Sequence, residues 1–279
     1  MNINQKKVLG YYKSLESKLG YEYITKKVKH FGYYPEGQRN ISEHEAQQLM
    51  SDLVAKYLRL KPNQMVLDAG CGYGVVACYL AEKSKVNIVG LDLNSYEIGK
   101  ARGRARKLNL EGRVKFEIMD YSRTSFTKNT FDAIFTLETL SHAAELKKTL
   151  RQFLNILKPN GKVVFFEYTL APEKDFTSRE LEMLNLGIEG TAALGLKEFK
   201  HDQFGSYLKK IGFKNIKERN ITKNMLPSLQ RLRRIALLPY FLIKLFNLQR
   251  YFVNTTIAVE WYELMKKGLI RYCIFTAEK

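Results

Sequence analysis

The segment Met65-Val66-Leu67-Asp68-Ala69-Gly70-Cys71-Gly72-Tyr73-Gly74 places three glycines at alternate positions after a short apolar run. Residues 64–67 are predicted to end a buried parallel strand, and a helix is predicted over residues 75–83. Glycine lets a backbone approach a ligand closely and tolerates positive φ. A strand, a glycine turn and a helix in this order therefore predict a nucleotide-binding crevice.

The spacing of these glycines narrows the class of ligand. It is Gly-x-Gly-x-Gly, whereas dinucleotide-binding proteins carry Gly-x-Gly-x-x-Gly. A diphosphate is bound by a helix N-terminus that points straight at it. A ligand without phosphates needs only close backbone contact and a nearby carboxylate, and the Asp68 carboxylate precedes this turn.

Further predicted strands follow the glycine turn, and two of them end in an acidic residue. Residues 86–93 form a predicted strand that ends at Asp92, about 20 residues downstream, where an acid would bind ribose hydroxyls. Residues 114–120 form another that ends at Asp120, and a fourth strand opens at residues 131–135. For each Asp the alternative is a helix N-cap, which is common at strand ends.

Residues 66–74 resemble the first motif of the class I S-adenosylmethionine (SAM) methyltransferases at every defining position. The resemblance is closest to the sterol and isoprenoid C-methyltransferases and the small-molecule methyltransferases. It implies SAM as cofactor and S-adenosylhomocysteine as product, with Asp92 on the ribose, Asp120 on the adenine amine and Asp68 on the methionine amino group. The implied cofactor-binding residues are Asp68, Gly70, Gly72, Gly74, Asp92, Leu93, Asp120 and Tyr121.

The acceptor side is predicted to lie at the end of the fourth strand, in residues 135–143. The Asn/Asp-Pro-Pro-aromatic tetrad of enzymes that methylate base amines is absent there. Glu138 and His142 instead resemble the Glu-x-x-x-His pattern of sterol C-methyltransferases, which implies that both are catalytic. A carboxylate–imidazole pair would raise the basicity of the imidazole. The alternative is a structural histidine at a helix start.

An aromatic loop precedes the glycine turn, at residues 29–37. It resembles the His-x-Gly-Tyr segment that folds over the active site of small-molecule methyltransferases as a lid. Phe31, Tyr33 and Tyr34 are then substrate-side residues whose ring faces stabilise a carbocation by cation–π attraction. The alternative is that these rings plug the base of the core. The weak likeness around residues 186–190 adds Glu189 to the substrate side.

The composition fits one large α/β core in 279 residues, of which 45% are hydrophobic. No apolar run reaches membrane-spanning length, no signal-peptide core is recognised, and the cysteines and histidines form no metal-ligand spacing, so no metal and a cytoplasmic location are expected. The net charge of +18 predicts an anionic partner: nucleic acid, a phosphorylated substrate or an acidic membrane. A lysine-rich solvated surface is the alternative.

The predicted fold is a seven-stranded, mostly parallel Rossmann-like sheet with helices on both faces. The resemblance implies that the seventh strand is antiparallel. The predicted divisions are a helical and aromatic N-terminal lid at 1–60, a SAM-binding core at 61–221 that contains a substrate-side insertion at 171–197, a basic and apolar helical insertion at 222–266, and a closing strand at 267–279.

The insertion before the last strand contains a basic and apolar run, residues 232–246. Pro239 is predicted to split this run into two short helices. Ile235, Leu238, Leu242 and Leu245 fall on one helical face. This face either lies in the interface of an anionic membrane, as a peripheral contact, or roofs the substrate pocket.

The resemblance implies a SAM-dependent methyltransferase that acts on a small lipophilic acceptor, with an isoprenoid- or sterol-type carbon as the methylated atom. An O- or N-methyltransferase of a natural product or lipid headgroup is the alternative. An RNA methyltransferase is a weaker hypothesis, since no RNA-binding module is recognised. A SAM-binding scaffold without catalysis is another weaker hypothesis. The acceptor and the oligomeric state stay open.

Overall fold

The computed structural model describes residues 3–279. In these residues a seven-stranded sheet has the order β3-β2-β1-β4-β5-β7-β6. The strands are β1 (Met65–Ala69), β2 (Asn87–Asp92), β3 (Val114–Ile118), β4 (Phe131–Leu137), β5 (Leu157–Leu170), β6 (Lys214–Asn220) and β7 (Ile270–Glu278). β7 is antiparallel to both β5 and β6, and the other pairs are parallel. The predicted fold class is therefore confirmed.

Helices connect the strands and extend the chain at its N-terminal side. They are α1 (Ile3–Lys13), α2 (Leu15–Leu19), α3 (Glu43–Leu58), α4 (Val75–Ser84), α5 (Ser95–Lys107), α6 (Leu146–Ile156), α7 (Ser178–Gly190), α8 (Phe204–Ile211), α9 (Thr222–Leu245) and α10 (Val253–Lys266). A π-helical turn, Gly20–Ile24, follows α2. The central strands β1 and β4 are almost continuously buried, as expected when both faces of a parallel sheet are covered.

The glycine turn between β1 and α4 is shaped by its neighbours. Gly70 has a φ of +95° and Gly74 a φ of +67°. A Cβ on Gly70 would lie 2.5 Å from Cγ2 of Thr139, and one on Gly74 would lie 2.5 Å from Cζ of Phe116. Only glycine meets both the backbone conformation and the space at these positions, which explains the spacing in the sequence.

A short turn separates β4 from the helix that follows it. Residues Leu140–His142 form a 3₁₀ turn, and α6 begins only at Leu146.

The prediction that Pro239 splits its segment into two helices is wrong. α9 is one helix of 24 residues that contains both Pro227 and Pro239. Pro239 removes the hydrogen bond to the carbonyl of Ile235. Both residues are exposed, which leaves that carbonyl open to solvent, and the helix continues.

Candidate active site

A pocket lies at the carboxyl edge of the sheet, where the strands β1, β2 and β4 end. It contains about 1220 Å³ of space free of protein atoms, including its open mouth. Most of the predicted site residues line it, although they are up to 74 positions apart in sequence. These are Asp68, Gly70, Gly72, Asp92, Leu93, Asp120, Tyr121, Glu138 and His142. Gly74 does not line the pocket and instead begins α4 against Phe116.

Asp92 is fixed at the end of β2 by two backbone donors. Its Oδ2 accepts a hydrogen bond from the Gly72 N–H at 3.0 Å, and its Oδ1 accepts one from the Asn94 N–H at 2.9 Å. Each carboxylate oxygen keeps a further lone pair for a second donor. A pair of ligand hydroxyls can therefore bind this carboxylate without displacing the glycine turn.

Replacing Asp92 by Ala is expected to weaken SAM binding by about 1.5–3 kcal/mol, the contribution of hydrogen bonds to a charged acceptor. Titration calorimetry with SAM measures the loss. Asp202→Ala is the matched control, because Asp202 lies outside the pocket and is ion-paired with Arg271. Unchanged SAM affinity in Asp92→Ala would contradict the assignment of the ribose site.

Asp68 lies deeper than Asp92 and is buried at the end of β1. Burial, and secondarily the charge of Asp92, raises the pKa of Asp68 well above its usual value. An amino group bound nearby would favour the carboxylate and lower this pKa again. The residue is therefore suited to hold a cationic part of a ligand.

Asp120 follows β3 and connects the pocket to the N-terminal helix. Its Oδ1 accepts a hydrogen bond from the Ser122 N–H at 2.8 Å, and its Oδ2 accepts one from the Gln5 side chain. Gln5, Val8 and Leu9 of α1 line the pocket on the same side. The next residue, Tyr121, donates its hydroxyl to the Thr139 carbonyl at 2.8 Å.

Glu138 lies directly after β4 with a φ of +57°. Three donors hold its carboxyl group: the Phe31 N–H at 3.0 Å, the Tyr168 hydroxyl at 2.7 Å and the Tyr272 hydroxyl at 2.9 Å. Burial raises the pKa of Glu138 to about 7, although all three hydrogen bonds act to lower it. The pocket thus contains a carboxyl group that changes its protonation near neutral pH.

His142 lines the same pocket but contacts other groups. Its Nδ1 lies 3.3 Å from the Ala192 carbonyl, and its Nε2 lies 3.1 Å from the Tyr12 hydroxyl. Because a carbonyl only accepts, Nδ1 carries the proton and Nε2 accepts from Tyr12. Burial lowers the pKa of His142 to about 4, so the ring is neutral at pH 7. The predicted carboxylate–imidazole pair with Glu138 is therefore wrong.

The aromatic loop does not place its tyrosine rings in the pocket. Tyr33 receives a hydrogen bond from Arg219, and the Tyr34 hydroxyl donates to Glu43 at 3.1 Å. Neither they nor Phe31 line the pocket, and Phe31 contributes its backbone N–H to Glu138. The predicted substrate-side role of these rings is corrected: they pack into the core, as the alternative had it.

The predicted position of Glu189 on the substrate side is also wrong. It is exposed on α7 and does not line the pocket, because its neighbours Gly187 and Ile188 are the residues of that turn that face inward. The helical period leaves Glu189 on the solvent side.

Several pocket residues were not predicted as site residues, among them Tyr12, Lys29 and His30. The Lys29 ammonium lies 2.6 Å from both carboxylate oxygens of Glu97 and 3.7 Å from the Tyr12 ring centroid. His30 is buried, and its Nε2 has no hydrogen-bond partner among the described residues. Lys29 and His30 are the first residues of the aromatic loop at 29–37. The loop therefore reaches the pocket through these two residues and not through the aromatic rings that were predicted to do so.

Glu167 supports the turn that carries His142. It is fully buried on β5, and its Oε1 accepts a hydrogen bond from the Leu140 N–H at 2.6 Å. Burial raises the pKa of Glu167 to about 8. A neutral carboxyl group thus stabilises the residues between Glu138 and His142 from behind.

The hydrogen-bond acceptors of the pocket match the donors that SAM offers. The pocket combines carboxylates at three strand ends with a glycine turn that leaves room for a ligand against the backbone. SAM offers an amino group, two ribose hydroxyls and an adenine amine, which are donors that carboxylates accept. Asp68, Asp92 and Asp120 are the residues that would hold these three parts.

Comparison with known proteins agrees with this geometry. A family model described as a methyltransferase domain matches residues 60–212. The chain is 31% identical over 260 residues to an S-adenosyl-L-methionine-dependent Diels-Alderase of Talaromyces variabilis, which covers 90% of this chain and 87% of that protein. It is 28% identical over 207 residues to the sterol 24-C-methyltransferase of Saccharomyces cerevisiae, and that match spans 73% of this chain and about half, 52%, of that enzyme.

Solved structures share the whole fold. The [4+2]-cyclase SpnF superposes with a TM-score of 0.77 at 22% identity and covers 100% of this chain and 97% of its own. A geranyl diphosphate methyltransferase superposes with a TM-score of 0.74 at 16% identity, over 99% of both chains. The predicted family, enzyme class and cofactor are confirmed. This chain belongs to the SAM-dependent methyltransferases, and its cofactor is S-adenosylmethionine.

Proposed function

We propose that this methyltransferase transfers the methyl group of SAM to an alkene carbon of a small lipophilic acceptor of the isoprenoid or sterol type. The observation that carries the proposal is Glu138. A carboxyl group held by three donors, with a pKa of about 7, is suited to remove a proton at physiological pH. Transfer to a hydroxyl oxygen would use the same base, so the position of the methyl group in the product separates the two reactions.

Bound SAM supplies an activated methyl group, and this chain supplies position and a base. In the proposed reaction the π electrons of the acceptor alkene form the new carbon–carbon bond to the methyl group as its bond to sulfur breaks, and this leaves a cation on the adjacent carbon. Glu138 then accepts a proton from a neighbouring carbon, and the electrons of that C–H bond form the new double bond. The atoms and charges balance with S-adenosylhomocysteine, a methylated alkene and protonated Glu138 as products.

Tyrosine rings take the place that the sequence had given to Phe31, Tyr33 and Tyr34. Tyr12, Tyr73 and Tyr121 line the pocket. Their ring faces can stabilise a transient cation. We assign His142 the role of positioning Tyr12, because its neutral ring accepts a hydrogen bond from the Tyr12 hydroxyl.

The comparisons support a lipophilic acceptor. Several of the relatives carry the name sterol 24-C-methyltransferase or 24-methylenesterol C-methyltransferase, at 26–31% identity. Geranyl diphosphate methyltransferases share the fold. Of these acceptors, sterols are apolar and partition into membranes. Among the helices of residues 3–279, none combines the length and the apolar character of a membrane-spanning segment. We propose that the protein is cytoplasmic and meets its acceptor as a peripheral membrane protein.

The test is a product screen with SAM that carries a deuterated methyl group. The purified protein is incubated with sterols and linear isoprenoids, and products are identified by mass spectrometry. We expect a product that gains one labelled methyl group on carbon and loses one proton. A label found on oxygen or nitrogen would contradict alkene methylation and favour a headgroup or natural-product acceptor.

The Diels-Alderase relative gives a second candidate function, because its match covers 90% of this chain. In this case SAM would be held without being consumed, and a polyene acceptor would cyclise in the same pocket. The same screen separates the two functions. A cyclised product of unchanged mass, formed without S-adenosylhomocysteine, would favour the cyclase.

A further inference from the structure

The C-terminal half of α9 exposes large apolar side chains to solvent. The four residues that the sequence placed on one face, Ile235, Leu238, Leu242 and Leu245, are exposed by 47%, 78%, 52% and 67%. None of them lines the pocket. The alternative that this face roofs the substrate pocket is therefore wrong, and the face has no partner among the described residues that would cover it.

The exposed apolar surface continues beyond the end of α9. We call it the apolar ledge, and its residues are Ile235, Leu238, Phe241, Leu242, Leu245, Phe246, Tyr251 and Phe252. Exposed apolar surface of this extent on a protein marks a binding site for another protein or a membrane.

The ledge adjoins the N-terminal helices that lie over the pocket. Asn254, two residues after Phe252, donates its side chain to the Ser17 hydroxyl at 2.9 Å, and its N–H donates to Glu16 at 3.1 Å. Beside this contact α2 exposes Leu15 and Leu19. α1, which precedes it, presents Val8 and Leu9 to the pocket. The apolar surface therefore leads from the ledge to the side of the molecule on which α1 lines the pocket.

The charged residues of the segment that carries the ledge have one sign. Residues 222–252 contain six basic residues and no aspartate or glutamate. Arg234, Lys244 and Arg250 are exposed, whereas Arg233 is paired with Glu263 at 3.1 Å. A second copy of the same face would bring like charges together, while an anionic lipid surface would attract them.

We propose that the apolar ledge and its basic margin dock on an anionic membrane, with the apolar side chains among the lipid headgroups and the basic ones on anionic lipids. This inference rests on the proposed lipophilic acceptor, since docking lets such an acceptor pass from the bilayer to the pocket along α1 and α2. α9 has the features of an interfacial helix, because one face is apolar and its margins are basic.

Co-sedimentation with vesicles tests the proposal. Neutral phosphatidylcholine vesicles are compared with vesicles that contain phosphatidylglycerol. We expect binding to increase with the anionic fraction and to fall in high salt, and Lys244→Glu or Arg250→Glu to lower it by about fivefold or more each. Leu238→Ser with Phe241→Ser is expected to lower it further. Leu108→Ser, an exposed apolar residue outside the ledge, is the control that leaves binding unchanged.

Other results overturn the proposal. Equal binding to neutral and anionic vesicles, or no loss in the ledge variants, would contradict it, as would a concentration-dependent dimer that the ledge variants abolish. An activity assay separates this inference from the proposed function. Ledge variants should keep the wild-type rate on a short, water-soluble acceptor and lose rate only on acceptor in vesicles. Absence of methylated product from either acceptor in the wild type would count against the proposed function, whereas vesicle binding stands on its own result.

Discussion

Glu138→Gln is expected to lower turnover about 100-fold or more while SAM affinity stays unchanged, because the amide keeps the size of the side chain but cannot accept a proton. Steady-state kinetics give the turnover, and calorimetry gives the SAM affinity. Glu189→Gln is the matched control, since Glu189 is exposed on α7 outside the pocket, and it should keep wild-type turnover.

The pH dependence gives this prediction a second measurement. A base must be ionised to act, and the pKa of Glu138 is raised to about 7. The turnover of the wild type should therefore increase as the pH rises through about 7 and then level off, and this step should be missing in Glu138→Gln. A variant with wild-type turnover and an unchanged profile would make Glu138 structural and would leave transfer by positioning alone.

Gly70→Ala is expected to destabilise the protein by about 2–6 kcal/mol and to abolish SAM binding. The φ of Gly70 is +95°, and holding a non-glycine residue there costs about 1–3 kcal/mol. The added Cβ would lie 2.5 Å from Cγ2 of Thr139, and such overpacking costs about 1–3 kcal/mol more. Thr139 has little freedom to move, because its hydroxyl donates to the Ala69 carbonyl at 2.7 Å.

Urea unfolding measures the loss of stability. Gly99→Ala on α5 is the matched control, because a Cβ on Gly99 meets no atom within 4 Å. In the interior of a helix this change is expected to stabilise by about 0.4–1 kcal/mol. Equal stability of Gly70→Ala and the wild type would show that the turn tolerates a side chain, contrary to its geometry.

The cofactor side of the site could be predicted from the sequence because its residues lie at strand ends that follow a regular pattern. Asp68, Asp92 and Asp120 each end or follow a strand of the parallel sheet, and such strands end at one edge. The glycine turn fixes which edge binds the ligand. Local patterns over residues 65–121 were therefore sufficient to predict that these carboxylates meet at one edge of the sheet.

The acceptor side could not be predicted in the same way. Glu138 and His142 are four residues apart, which places side chains on one face only within an α-helix. Glu138 instead has a φ of +57°, and residues Leu140–His142 form a 3₁₀ turn, so the two side chains diverge. The partners of Glu138 on β5 and β7 lie 30 and 134 positions away, and no local pattern indicates them.

The prediction for the rings of the aromatic loop was wrong for a related reason. Residues 29–37 have no helical or strand period, so the sequence does not show which ring faces the pocket. The backbone of Tyr34 is held by α9, where the Asn224 side chain donates to the Tyr34 carbonyl at 2.9 Å. These residues are 190 positions apart in sequence.

The place of β7 between β5 and β6 has a consequence for how the enzyme matures during translation. Domains begin to fold from the N-terminal side as the chain emerges from the ribosome. The residues that we propose to bind SAM, up to Tyr121, emerge before β5 or β7. Tyr272 on β7, which donates to Glu138 at 2.9 Å, emerges after every other strand. A nascent chain can therefore assemble the proposed cradle for SAM well before the carboxyl group of Glu138 has all its partners, and the proposed base is complete only after residues 270–278 enter the sheet.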